Sequence, residues 1–156
     1  AKYLKTILKD IDFKKIFVSP LLRARKTCEL AGLQEHAQLN EDLLEWDYGE
    51  FEGLTTAEIR LKIPHWNIFE HGPKNGETLD QVAQRARHLI NQISEIEGNI
   101  ALFSSGHISR VIGALWASLS PSKGQFLALS TASVSILGYE HEWQAIRSWN
   151  DTSPLT

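Results

Sequence analysis

The stretch Ile100-Ala-Leu-Phe-Ser-Ser-Gly-His-Ile-Ser-Arg110 decides the fold class. Its four apolar residues, Ile100 to Phe103, read as a short buried strand. Ser104-Ser105-Gly106 is a turn of small residues. Val111, Ile112, Leu115 and Leu119 then recur at helical spacing, so a helix is expected from about His107 or Ile108 to about Leu119. A strand that passes through such a turn into a helix aims backbone N–H groups and the positive end of the helix dipole at whatever lies above the turn. This is a site for phosphate or another anion, with Gly106 at its base and His107 and Arg110 able to add charge. It is equally the ordinary βα connection of any α/β domain, with no ligand.

A second junction repeats the pattern. Ile16-Phe17-Val18 reads as a buried strand, with Ser19 expected as N-cap and Pro20 at the first helical position. Leu21, Ala24, Cys28 and Ala31 form the inner face of the helix, Gly32 ends it, and Arg23 lies in its first turns. In a doubly wound sheet two such junctions share one carboxyl edge and can converge on a single ligand.

The rest of the chain fills in an α/β pattern. Tyr3, Leu4, Ile7, Leu8 and Ile11 form the apolar face of a helix already under way, with no cap before it, so the chain is expected to begin part-way through its domain. Residues 41–52 alternate acids with large apolar groups, and Gly49 and Gly53 favour an ordered loop over a strand. Within it Glu45, between Leu44 and Trp46, is expected to be partly desolvated, with a raised pKa suited to general acid work. Thr55 to Leu61 reads as a short helix stopped by Pro64. Residues 64–76, with Trp66, Phe69 and the Asn75-Gly76 turn, read as an excursion over the sheet edge. Thr78-Leu-Asp-Gln81 is a capping box that opens the longest helix, with Leu79, Val82, Ala83, Ala86, Ile90 and Ile93 inward and Gly98 as the stop. Phe126–Leu129, Ser133–Tyr139 and Glu142–Trp149 read as strands, the last two a hairpin. The fold class is α/β, a three-layer αβα sandwich, and residues 1–156 read as one domain.

Composition narrows the function. The 156 residues are 42% hydrophobic and 22% charged, with net charge −3 and the two signs interspersed. That argues against nucleic acid or a membrane surface as partner. One cysteine, Cys28, points to packing in a reducing cytoplasm rather than to disulfides. The histidines (36, 65, 71, 88, 107 and 141) show no metal-ligand spacing, and no cofactor motif appears.

Five segments in order resemble the histidine phosphatase superfamily, the phosphoglycerate mutase-like fold. Ser19-Pro-Leu-Leu-Arg-Ala-Arg-Lys-Thr27 is similar to its Ser-Pro-x-x-Arg-Ala-x-x-Thr motif, and Glu45-Trp-Asp-Tyr-Gly-Glu-Phe-Glu-Gly53 to its Glu-x-x-x-Gly-x-x-Glu-Gly motif. Asn75-Gly-Glu-Thr78 opens the long helix as family members do. Trp66-Asn-Ile68, the Phe103 to Arg110 run and Ser133-Val-Ser-Ile-Leu-Gly-Tyr139 look closest to the sedoheptulose-bisphosphatase-like branch. The resemblance implies a metal-free phosphatase acting on phosphate or a small phosphorylated metabolite, through a histidine that becomes phosphorylated. It makes Arg23 a phosphate-holding arginine and Glu45 the proton donor. It puts Ser19, Glu77, Thr78, Gly106 and His107 beside the phosphate pocket.

Two features of the family pattern fail to match. Its N-terminal central strand, ending in Arg-His-Gly, has no counterpart here, so unpaired interior sheet edges are expected, filled by a preceding segment, filled by a strand swap in a homo-oligomer, or left open in a marginal remnant. The branch also reads Phe-x-His-Gly-His-x-x-Arg where this chain reads Phe103-Ser-Ser-Gly-His-Ile-Ser-Arg110. Ser105 therefore takes the second catalytic histidine position, and His107 matches the next histidine. Three readings stand: a sugar-phosphate phosphatase crippled or retuned at position 105, a catalytically dead phosphate-binding or regulatory relative, and an α/β interaction domain in which these motifs are scaffold.

Overall fold

The computed structural model describes residues 3–153. In chain order the elements are α1 (Leu4–Leu8), β1 (Phe13–Val18), α2 (Leu22–Leu30), β2 (Ala37–Leu39), α3 (Thr56–Lys62), α4 (Ile68–His71), α5 (Leu79–Ser94), β3 (Asn99–Phe103), α6 (Gly106–Trp116), β4 (Val134–Glu140) and β5 (Trp143–Asp151). Short 3-10 turns at Gln34–His36, Glu41–Leu43, Gly49–Phe51 and Pro121–Phe126 lie between them.

Strands β2, β1 and β3 form a parallel sheet in that order, with Val18 opposite both Leu39 and Phe103. Side chains alternate across it, which builds the layers. Phe17 faces α5 and α6, where Val82, Ala86, Leu89, Ile108, Val111 and Ile112 close the larger core, and Ile100 and Leu102 pack against the same side. Ile16, Val18, Ala101 and Phe103 face Leu4 of α1, Ala24 and Cys28 of α2, and Ala31 just past its end. This is an αβα sandwich. β4 and β5 make a separate antiparallel hairpin. It docks on α6, where Trp116 Nε1 donates to Gly138 O at 2.9 Å and the Trp149 ring lies over Gly113. Among the described residues, β3 pairs only with β1 and β4 only with β5, so each has an open edge.

Several expectations need correction. Ser19 is not a helix cap. Its N–H donates to Phe103 O at 2.8 Å, which extends the sheet by one residue, and α2 starts at Leu22 with Leu21 in the capping position. Phe126–Leu129 is not a strand. Phe126 closes the Pro121–Phe126 turn, the Leu127 N–H donates back to Gly124 O at 3.1 Å, and Ala128 O accepts from Trp149 Nε1 at 2.7 Å, so this segment is held by a turn and a side chain of β5 rather than by a ladder. α6 stops at Trp116 with Ser118 in the left-handed region, which leaves Leu119 exposed. In α1 only Leu4 is buried, and Ile7 and Ile11 are exposed. β2 is three residues long, too short to carry a period. The helix starts that rest on side-chain caps are as expected. Thr78 and Gln81 close both halves of their capping box, as do Thr55 and Glu58 at α3, each worth about 1 kcal/mol.

Candidate active site

The carboxyl ends of β1 and β3 lie side by side, so the two βα junctions meet. Arg23, from the first turn of α2, donates through Nε to Ser105 Oγ at 2.9 Å. Ser105 is the N-cap residue of α6 and is buried. Ser19 is also buried, its hydroxyl turned back toward Leu21 N–H at 3.4 Å. Beside Arg23 a cavity of about 750 Å³ is lined by Leu21, Glu45, Trp46, Tyr48 and His107, with Glu41, Asp47, Glu52, Glu77 and Arg85 around its wall.

The α6 N-terminus already binds an anion, and it belongs to the chain. Glu45 accepts from His107 N–H at 3.1 Å and from Ile108 N–H at 3.0 Å. Its Oε2 also lies 3.7 Å from His107 Nδ1. Burial between Leu44 and Trp46 pushes the carboxyl up, as expected. The His107 side chain, the two backbone N–H groups and the His107 charge outweigh it and hold Glu45 below the ordinary carboxylate range. The expected raised pKa is therefore corrected: at neutral pH Glu45 is ionised.

His107 sits in an aromatic box. Tyr48 OH lies 3.2 Å from either ring nitrogen, and the Tyr48 and Phe69 rings are 5.5 and 5.9 Å away. Desolvation, reinforced by the Glu45 charge, raises the Tyr48 phenol well above its usual value, so it stays a neutral donor. Arg110 does not touch the junction, although its charge is felt by Glu45 and Tyr48. Its guanidinium turns toward Gly124 and Gln125 and lies 4.8 Å from the Phe69 ring centroid.

Thr78 stands outside the cavity, and Glu77 lines it but is already paired. Thr78 is spent on capping α5. Glu77 takes both ends of the Arg85 fork, Nε at 2.8 Å and Nη2 at 2.7 Å, and also the Asp47 N–H at 3.1 Å. Arg85 Nη1 reaches back to the carbonyls of Asp42 and Leu44, at 2.9 and 3.1 Å. One guanidinium thus ties α5 to both sides of the Glu45 loop. Sequence reasoning missed Arg85, because a lone arginine eight residues past Glu77 on a polar helix face carries no local signal. Two glycines let the flanking loops touch: a Cβ on Gly76 would meet Asp47 O at 2.3 Å, and one on Gly49 would meet Lys74 O at the same distance. Among the described residues no three His, Cys, Asp or Glu side chains gather as a metal site.

Two converging βα junctions, with an arginine and a small polar residue between them and a glutamate beside them, have the donors to hold an anion. The model of the histidine phosphatase superfamily, branch 1, matches residues 1–152. The chain belongs to this superfamily. An acid phosphatase of Mycobacterium tuberculosis is 37% identical over 134 residues, covering 85% of this chain and 66% of that protein. Sedoheptulose 1,7-bisphosphatase of Saccharomyces cerevisiae is 35% identical over 133 residues, covering 69% of this chain and 49% of the yeast protein. The chain thus spans half to two thirds of the length of these curated relatives. A solved open-reading-frame product of Mycobacterium tuberculosis superposes with TM-score 0.90 at 33% identity, over 96% of this chain and 79% of that one. A mycobacterial glucosyl-3-phosphoglycerate phosphatase, at 21% identity and TM-score 0.83, shares the fold.

Proposed function

We propose that this chain grips the phosphoryl group of a small phosphorylated metabolite at Arg23 and Ser105, and that residues 1–156 by themselves do not turn it over. The observation that carries the reading is the 2.9 Å bond from Arg23 to Ser105, which brings the two βα junctions to one point. Arg23 supplies the charge, the Ser105 hydroxyl a hydrogen bond, and the cavity beside them room for the carbon skeleton. Glu45 takes the leaving-oxygen side. A phosphate dianion on Arg23 would push Glu45 upward by like-charge repulsion, the direction a proton donor needs.

Turnover fails on two counts. Ser105 can donate a hydrogen bond but cannot carry the imidazole's charge. The histidine that lines the cavity, His107, is committed to Tyr48 and Glu45. The same physics makes the alternative, a phosphatase retuned at position 105, separable. Net charge −3 gives this reading no role for nucleic acid or a membrane surface, and no helix among the described residues is long and apolar enough to cross a membrane. Buried Cys28, a free thiol, suits the reducing cytoplasm.

The test is phosphate and sugar-phosphate binding by calorimetry, alongside p-nitrophenyl phosphate hydrolysis and phosphohistidine detection. Binding that Arg23→Ala abolishes, without turnover, is the expected result. A phosphohistidine in this chain overturns the no-turnover half, and binding that ignores Arg23→Ala overturns the rest.

A further inference from the structure

The cavity beside Arg23 is larger than a phosphate needs. About 750 Å³ is room for a whole small organic ligand, and pockets of that size bind chiefly through apolar and aromatic walls with a few fixed polar groups. Here the apolar wall is Leu21, Leu44 and Leu54, with the Tyr48 ring beside them. None of the three leucines belongs to either core of the sandwich, so their packing is not accounted for by the fold. Leu54 is 36% exposed, and a Cβ on its neighbour Gly53 would meet nothing within 4 Å, so the wall is open there.

The polar part of the wall is mostly engaged by the chain itself. Glu45 takes the α6 N–H groups, and Glu77 takes Arg85 and the Asp47 N–H. Asp47 Oδ1 accepts from the Gly49 N–H and Glu52 Oε1 from the Tyr48 N–H, each at 2.8 Å. Of the two lining arginines, Arg85 donates to Glu77, Asp42 O and Leu44 O. Arg23 donates through Nε to Ser105 and keeps its terminal amino groups free of protein acceptors among the described residues. The cavity therefore has one free guanidinium, enough for one phosphate. A second anion would face Asp47 and Glu52, and the oxygens of a polyol would find no further charged donor.

We propose that the ligand held at Arg23 is the phosphate monoester of an uncharged apolar group, aryl or branched alkyl, and that this group packs on Leu21, Leu44 and Leu54. The inference rests on the reading of the Arg23 site above and names the class of ligand that site takes. Burial of apolar area supplies affinity where donors are scarce. Leu54 is the specificity-determining residue, because its side chain is open to the ligand and has no duty in the core.

The test is calorimetry on the 156-residue chain with inorganic phosphate, phenyl phosphate and a hexitol 6-monophosphate, at about pH 8, where all three are mainly dianions. Phenyl phosphate should bind roughly tenfold tighter than the other two, with a more negative heat-capacity change and an advantage that raised salt leaves in place. Leu54→Ser should remove most of that advantage and leave inorganic phosphate affinity unchanged, and Leu54→Met should keep it. If phenyl phosphate gains nothing over inorganic phosphate, or the gain survives Leu54→Ser, the apolar subsite is wrong and the Arg23 site stands. If the hexitol phosphate binds tighter than phenyl phosphate, the ligand's body is recognised through hydroxyls and the proposal falls. If phenyl phosphate keeps its advantage and Arg23→Ala changes no affinity, the apolar subsite stands and the Arg23 reading falls. If none binds, both fall.

Discussion

Glu45→Gln tests the electrostatics of the site directly. The carboxylate receives Trp46, His107 and Ile108 N–H groups within 3.0 to 3.1 Å, the last two at the N-terminus of α6. Glutamine keeps one acceptor oxygen and turns an NH2 group against an N–H. One charge-assisted bond is lost, at about 1.5–3 kcal/mol, together with a helix-dipole contribution of about 0.3–1 kcal/mol. Since the Glu45 side chain is 20% exposed, the low end applies, and about 2 kcal/mol is expected. For a chain of this length that lowers the melting temperature by roughly 4–8 °C.

The pH dependence carries the sign. Glu45 is held below its unfolded value of about 4.3, so its contribution is fully present above that pH. It is lost as the pH falls through the lower folded value. The gap between the wild type and Glu45→Gln, read from urea titrations, should be fully open at about pH 5 and narrow below about pH 4. A buried carboxyl with a raised pKa would do the opposite, and the glutamine variant would be at least as stable as the wild type at pH 7. That result would refute the reasoning.

Gly113→Ala sets helix propensity against packing. Alanine gains about 1 kcal/mol in a helix interior. Its Cβ, however, would lie 2.6 Å from the ring of Trp149, which Ala128 O holds through Nε1. Overpacking of about 1–3 kcal/mol should win, seen as a lower melting temperature. Arg85→Met strands Glu77 and frees the Asp42 and Leu44 carbonyls. A loss of about 2 kcal/mol, discounted for the pair's partial exposure, should come with faster amide exchange across residues 42–48. Ser105→Ala removes the Arg23 acceptor, so phosphate affinity should fall about fivefold while the melting temperature barely moves.

The elements that were legible in the sequence are those whose determinants are local. The apolar run Ile100 to Phe103 followed by Ser105-Gly106, and the Thr78–Gln81 capping box, carry their whole explanation within a few residues. Phe126–Leu129 misled because the group that takes Ala128 O is the Trp149 indole, a side chain of β5. Ser19 misled because its backbone continues β1, its N–H donating to Phe103 O, and that pairing is visible only once β1 and β3 are side by side. Arg85 shows the same thing for the site: its value comes from four acceptors on Asp42, Leu44 and Glu77.

The helix N-terminus of α6 is the instructive case. From sequence it is an anion site, and the physics behind that expectation is right. The anion that takes the His107 and Ile108 N–H groups is Glu45, supplied from more than sixty residues upstream. This one contact inverts two expectations. It removes those N–H groups from any incoming phosphate, so the phosphate must rely on Arg23, Ser105 and whatever else approaches the β1 and β3 ends. It also lowers the pKa that burial alone would raise. A local pattern can announce that a helix terminus wants negative charge. Whether a ligand or the chain's own carboxylate meets that demand is decided by the path of the loop, and Arg85 and Glu77 set that path.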